Sequence, residues 1–497
     1  MPVKKSPYYF ILGLLCWIAT WQHSQAQPLS SAYERYAFLR GDINLIDNNF
    51  RGLQHFYHQL SLLENGRRQK VNIVHIGDSH IQADWFSGRL RMALQKQFGA
   101  AGRGLVFPYQ VARTNSPDDL FTSSNVKWEV QRNIGSQSSL PTGVSGISLR
   151  TQTPHFILKV GVGDNPFGID YTFDRVGVFT EKGRENFQLY ASPSARAFPG
   201  LSKASSTDNS KLHEVRSGEN LTEIAAKYNV AIDDLITWNR LAGSTIYAGK
   251  RLIVEAPKGG TPTPARDRSL NESVPLDFRN SAQDATRFLA QTTLPRAVST
   301  VYLRGKKEES IQRQTVLYGL VLENSQRRGI LYHNIGVNGA KFSDFNRGRH
   351  FMQQVGALEP DLIIVSLGTN EAANRAFGRR AFYQAIDEMI YQINQYAPHA
   401  AILFTTPPDA YYARQRHNSN VELARDVLQE YAFNHDLACW NFYDIMGGTD
   451  AIQDWHKEGL AQPDHLHLTQ EGYELQGDLL FEALIKGYGN YQSAKFR

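Results

Sequence analysis

Cysteine is nearly absent from this 497-residue chain: Cys16 and Cys439 are the two examples. A disulfide scaffold is excluded, and no intramolecular disulfide can form once Cys16 is removed with the N-terminus. Long apolar runs are missing too. Residues 8–19 (YYFILGLLCWIA) form a run of 12, short of the roughly 20 that a membrane-spanning helix needs. Charge of one sign is also lacking. Lys and Arg number 53 against 48 Asp and Glu, a net +5, or +3 once Lys4 and Lys5 are gone. So near-neutral a balance argues against nucleic acid as the main partner. No G-x-S-x-G occurs, which argues against an α/β-hydrolase nucleophile elbow.

What is there begins with a targeting pattern. Lys4 and Lys5 precede the apolar run, and Ser24-Gln25-Ala26 puts small residues at −3 and −1 of a cleavage site. Residues 1–26 are therefore expected to be a signal peptide, and the mature chain periplasmic or secreted, with no integral membrane segment. The remainder is 41% apolar in composition and too long for one small domain.

Two textures alternate along it. Residues 48–64 read as an amphipathic helix, 71–76 (VNIVHI) as a buried parallel strand, and 84–98 as a helix. From 125 to about 331, short alternating runs separated by turn residues predict an antiparallel β-sandwich. Polar linkers at 202–210 and 258–268 bracket a compact unit inside it. Strands at 330–335, 362–367, 401–405 and 438–443, with helices at 380–396 and 421–433, then resume the αβ alternation. The fold class expected is α/β: one doubly wound parallel sheet, split by a long insertion. The expected boundaries are 27–124 and 333–497 for the two parts of the α/β domain, 125–210 and 258–332 for the sandwich, and 211–257 for the nested unit.

Four segments carry chemistry. Gly77-Asp78-Ser79-His80 follows strand 71–76 and opens a helix, which places Ser79 at a strand's carboxyl end, where ligand sites of such folds form. The Ser79 N–H can donate to a developing oxyanion. Asn334-Ile335-Gly336-Val337-Asn338-Gly339 brings glycines whose backbone can approach a substrate. Gly368-Thr369-Asn370 ends an apolar strand with a carboxamide able to donate. Asp464-His465-Leu466-His467 precedes the last helix, and an Asp three residues before His467 can orient that imidazole. A metal site from His75, Asp78 and His80 is disfavoured, because no remote ligand cluster accompanies it. No metal or cofactor is expected. His75 reads as a buried strand residue and His80 as a structural group behind the site.

In this order the four segments resemble the blocks of the SGNH (GDSL-type) hydrolases. The resemblance implies Ser79 as nucleophile, His467 as general base and Asp464 as its orienting acid. It implies an oxyanion hole from the Ser79 N–H, the Gly339 N–H and the Asn370 side chain. Gly339 is preferred to Gly336, and His467 to His465. Within that superfamily, the runs 74–80 (VHIGDSH), 102–108 (GRGLVFP) and 366–372 (SLGTNEA), together with Met446-Gly447-Gly448, resemble the Neisseria-type peptidoglycan O-acetylesterases, which also carry an inserted β-sandwich.

The nested unit reads strand, helix, helix, strand. Its S-G-E-N-L opening, I-A-x-K-Y-x-V, L-x-x-W-N and G-K-x-L-x-V resemble a LysM domain over its whole length. That implies binding of N-acetylglucosamine-containing glycans through Gly218, Glu219, Asn220 and Leu221 on one loop, and Gly243, Ser244, Thr245 and Ile246 on the other. Together the two resemblances imply a serine esterase that removes O-acetyl groups from muramic acid of peptidoglycan. An acetylesterase on another polysaccharide, or a non-catalytic wall-binding scaffold, are the alternatives.

Overall fold

The computed structural model describes residues 30–135, 140–197, 212–215, 219–228, 230, 232–239, 251–255, 273–278, 288–348, 350–412, 414 and 416–495. The expected signal peptide and both polar linkers lie outside the described residues. Among those described, no helix is long and apolar enough to cross a membrane.

Strand Lys70–Gly77 is buried along nearly its whole length, so it must be apolar on both faces. Val71 and Ile73 enter one core while Val74 and Ile76 enter the other. Leu362–Ser366 and Ala401–Thr405 divide their side chains the same way. Such strands belong at the centre of a parallel sheet covered on both sides. The sheet runs Gly329–Gly336, Lys70–Gly77, Leu362–Ser366, Ala401–Thr405, Ala438–Trp440, all parallel, with the two-residue strand Ile46–Asp47 antiparallel at the far edge. Numbered along the chain, the parallel strands lie in the order 2-1-3-4-5. The direction of winding therefore reverses between Lys70–Gly77 and Leu362–Ser366, and a crevice opens at the carboxyl ends of those two strands. The fold is the α/β SGNH-type hydrolase fold.

Helices cover both faces. Gln54–Glu64, Trp85–Phe98 and the long C-terminal Gln470–Lys495 pack on one side, Arg379–Tyr396 and Ser419–Asn434 on the other. The strand expected at 438–443 is cut to Ala438–Trp440. Asn441 caps a short helix, Phe442–Ile445, by accepting from the Asp444 N–H.

The insertion leaves after helix Trp85–Phe98 and returns at Gly329–Gly336. It forms two antiparallel sheets. One has the order Val274–Pro275, Gln188–Ser192, Thr300–Lys306, Ile157–Val162, Leu120–Ser124. The other has Asp277–Phe278, Leu289–Val298, Phe173–Thr180, Thr315–Glu323, Ile147–Thr151, Glu129–Arg132. The expected limits need correction at both ends. Gly102–Val106 pairs with Thr315–Glu323, and Leu120–Ser124 with Ile157–Val162, so the sheets begin before residue 125. At the other end, Gly329–Gly336 pairs with Lys70–Gly77 and belongs to the α/β sheet. The reason is contact. Gly104, at φ 83°, lies where a Cβ would stand 1.9 Å from the Tyr332 carbonyl oxygen, so the two domains meet backbone to backbone. One apolar core runs from Leu158, Val178 and Leu303 of the insertion into Val74, Ile76 and Ile335 of the α/β sheet.

The nested unit is separate. Leu212–Glu214 pairs antiparallel with Arg251–Ile253. Helices Leu221–Tyr228 and Ile232–Asn239 close over a core of Val215, Leu221, Ile224, Ala225, Leu235, Leu252 and Val254.

Candidate active site

Ser79 begins the short helix Ser79–Gln82 directly after strand Lys70–Gly77. Asp78 caps that helix by accepting from the His80 N–H at 3.0 Å. The Ser79 hydroxyl lies 3.1 Å from His467 Nε2. His467 Nδ1 lies 2.8 Å from Asp464 Oδ2, while Asp464 Oδ1 accepts the backbone N–H groups of Leu466 and His467, each at 3.0 Å. All three residues line an open cleft of about 950 Å³ at the crevice, with Gly339 and Asn370 on its wall. A carboxylate held by two backbone donors has one free edge, and that edge fixes the imidazole with Nε2 toward the serine. Partial burial would raise the Asp464 pKa, but the hydrogen bonds from the His467 ring and backbone outweigh it and hold the carboxyl below its usual range.

The competing residues are elsewhere. The His465 ring faces the Arg414 carbonyl oxygen at 3.3 Å and packs edge-on against Tyr411. Gly336 is pressed against helix Ser79–Gln82, where a Cβ would come within 2.3 Å of the Gln82 nitrogen. Gly339, at φ 80°, borders the cleft and has open space beside it. His75 is wholly buried between the Tyr332 hydroxyl at 2.6 Å and the Ser366 hydroxyl at 2.7 Å. With Asp78 and His80 turned to other partners, these three do not converge on a common point.

Behind the cleft the polar groups are tightly paired. Asn370 Nδ2 donates to Asp78 Oδ2 at 2.8 Å and to the Ala340 carbonyl at 3.1 Å. Burial pushes the Asp78 carboxyl up to about 7, against the hydrogen bonds from His80 and Asn370, and burial pushes the neighbouring Glu371 up to about 7 as well. The His80 ring stacks on His467 at 5.5 Å and bonds the Tyr473 hydroxyl at 2.7 Å. Burial lowers its pKa to about 3, so His80 presents a neutral face to the exposed imidazole.

Several supporting residues escape sequence reasoning. Gln82 accepts from the Asn338 N–H at 2.8 Å and donates to Thr114 at 2.7 Å, joining the serine helix to the glycine loop. Asp84 bonds Asn334 at 3.0 Å and pairs with Arg91 and Arg103, which also meet Asp119. Both guanidiniums are nearly inaccessible, at 2% and 1% exposure. Burial opposes ionisation of Asp119, and the Arg103 and Arg91 charges outweigh it, so its carboxyl is held below the usual range. The one sequence signal was an arginine between two glycines in 102–104.

In the LysM unit, Gly218 and Gly243, Ser244, Thr245 and Ile246 lie outside the described residues. Glu219 pairs with His213 at 2.8 Å. Asn220 accepts from the Glu223 N–H at 3.0 Å and so caps the first helix. Leu221 is corrected from glycan contact to core: its side chain is 2% exposed, because the first apolar position of an amphipathic helix faces inward.

The crevice, the sheet order and the Ser79–His467–Asp464 chain define an α/β hydrolase of the SGNH class. Comparison with known proteins agrees. Residues 316–475 match the GDSL-like lipase/acylhydrolase family, and 213–255 match the LysM domain. The first match starts after the insertion, so the Ser79 segment falls outside it. A solved peptidoglycan O-acetylesterase is similar in fold, with TM-score 0.59 and 18% identity over 91% of this chain and 98% of its own. A probable endopeptidase p60 of Listeria innocua is 37% identical over 49 residues, 10% of each chain. The membrane-bound lytic murein transglycosylase D of Escherichia coli K12 is 31% identical over 83 residues, 17% of each. The chain thus spans a tenth to a sixth of these curated relatives. It carries an acylhydrolase domain, the domain of carboxylic ester hydrolases, and a LysM domain.

Proposed function

We propose that this protein is an exported serine esterase that hydrolyses O-acetyl groups of peptidoglycan, on muramic acid, and binds wall glycan through its LysM unit. The observation that carries this reading is the hydrogen-bonded Ser79–His467–Asp464 chain in an open cleft, in a polypeptide that also holds a LysM domain. The likeness in fold to a peptidoglycan O-acetylesterase supports it.

The Ser79 hydroxyl attacks the acetyl carbonyl while His467 Nε2 takes its proton, and Asp464 stabilises the imidazolium. The oxyanion forms against the Ser79 N–H, the Gly339 N–H and Asn370 Nδ2. Asn370 already gives its two protons to Asp78 and Ala340, so one of them is shared with the oxyanion as charge develops. His467 returns its proton to the departing sugar hydroxyl, and water then deacylates Ser79 by the same route. The LysM unit keeps the enzyme on the polymer and raises local substrate concentration.

Acetate release tests the reading. The wild-type protein is expected to release acetate from O-acetylated peptidoglycan faster than from acetylated xylan. Ser79→Ala is expected to lower kcat by about 10⁴–10⁶ while still binding wall material. Equal rates on xylan would point to another polysaccharide, and an active Ser79→Ala variant would remove the nucleophile assignment.

A further inference from the structure

The cleft is much larger than an acetyl group needs, at about 950 Å³. That volume suits one or two sugar rings. Two of its lining side chains have no part in the ester chemistry: Trp85 and Arg414. Trp85 is half-buried and rests on Tyr473 at 6.1 Å between ring centroids, which holds the indole as one wall.

Arg414 stands at the turn of a small hairpin whose strands are Tyr411–Tyr412 and Arg416–His417. The hairpin is fastened on both sides of the site. The Tyr412 hydroxyl donates to the Ala372 carbonyl at 2.8 Å, beside Asn370. The Tyr411 N–H donates to the His465 carbonyl at 2.9 Å, beside His467. The Arg414 backbone is left-handed, φ 69°, a conformation that costs a non-glycine residue energy and is kept where surrounding contacts impose it. Its guanidinium is exposed, and among the described residues no carboxylate pairs with it. The acid that lines the same cleft, Asp464, is taken by His467. The cleft therefore presents one uncompensated cation on a fixed mount, opposite an aromatic plane.

We propose that Trp85 and Arg414 form a subsite for an anionic acetylated sugar, which rests on the esterase reading above. The indole packs against the apolar C–H face of the pyranose, and the guanidinium pairs with a carboxylate that the sugar carries. N-acetylglucosamine has no such group. The carboxylate comes from the lactyl ether of muramic acid or from the peptide attached to it.

The test uses the full chain and five esters. They are 4-nitrophenyl acetate, 6-O-acetyl-N-acetylglucosamine, 6-O-acetyl-N-acetylmuramic acid, its neutral lactyl methylamide, and its lactyl dipeptide with a free carboxylate. The wild type is expected to prefer a carboxylate-bearing sugar over the methylamide by about tenfold in kcat/KM, with the loss in KM. The acid or the dipeptide, whichever is preferred, identifies the source of the charge. Arg414→Gln is expected to abolish the preference, whereas Arg416→Gln, whose guanidinium lies over Tyr412 outside the cleft, keeps it. Trp85→Ala is expected to raise KM for every sugar ester, and Trp85→Phe to restore much of it. A wild type that treats acid, dipeptide and amide alike overturns the subsite while leaving the esterase reading intact. So does an Arg414→Gln variant that slows all sugars equally, since that marks a merely structural hairpin. Turnover of 4-nitrophenyl acetate with none of the acetylated sugars would overturn the peptidoglycan reading itself, and the subsite with it.

Discussion

Ser79 and His467 are 388 residues apart in sequence and 3.1 Å apart in space. Inside the LysM unit, the described side-chain hydrogen bonds span at most the 15 residues from His213 to Tyr228. The two regions obey different physics. The LysM unit closes its own core of seven buried residues, and Asn239 pins its second helix to its last strand through Leu235 and Ile253. The active site has no core of its own. Its loops are held by what lies beneath them: the buried Arg91 and Arg103 between Asp84 and Asp119, the Gln82 bridge, and the Asp78–Asn370 contact. A locally closed module survives removal from its host, whereas a convergent site depends on distant contacts.

The strongest way to break that contrast is at the histidines. His467→Ala is expected to lower kcat on a small ester by about 10⁴–10⁶, and His465→Ala to keep most activity. The reverse pattern in steady-state assays would mean that the hydrogen bonds around residues 464–467 have been misread.

Next comes the support. Arg103→Met removes one of two buried cations facing two buried carboxylates and is expected to cost about 3–5 kcal/mol. Calorimetry should show a lowered transition for the catalytic part, with wall binding by the LysM unit retained below it. An unchanged transition would mean that the buried network does not carry the site.

Excising residues 211–257 is expected to change turnover of a small acetyl ester by less than about threefold. Binding to peptidoglycan, and acetate release from insoluble wall at low enzyme concentration, should both fall. Loss of the small-ester activity as well would show that the two regions are not independent.

The smallest effect sharpens the picture of the shared core. His333 is buried, and neither ring nitrogen has a hydrogen-bond partner among the described residues. Burial, with help from Lys70, lowers its pKa to about 3, against roughly 6.5 in the unfolded chain. Between those values the unfolded chain binds a proton that the native state refuses, so His333 makes stability fall as pH drops below about 6.5. His333→Leu removes that slope. The difference in urea stability between variant and wild type should grow by about 1.4 kcal/mol per pH unit below 6.5 and vanish as a trend above it. Asp78 and Glu371, each pushed up to about 7, give the opposite slope in both proteins and cancel in the comparison. A difference independent of pH would mean that His333 is protonated in the native state.

Much of this protein was legible from sequence alone, for a local reason. A strand buried on both faces must be apolar throughout, as residues 71–76 are, and an Asp three residues before a His closes a ring that short-range geometry permits, as Asp464 and His467 do. The LysM unit was readable because its turns, helices and core positions repeat within about 45 residues. What the tertiary structure alone decided depends on neighbours far along the chain. Gly339 rather than Gly336 borders the cleft because helix Ser79–Gln82 packs on the latter. The insertion begins at Gly102–Val106 because that strand finds its partner in Thr315–Glu323, more than two hundred residues on. Arg414 reaches the cleft because its hairpin is tied to Ala372 on one side and His465 on the other. Burial, pairing and position of a charge are set by whatever the fold brings beside it, and none of these leaves a periodic trace in the sequence.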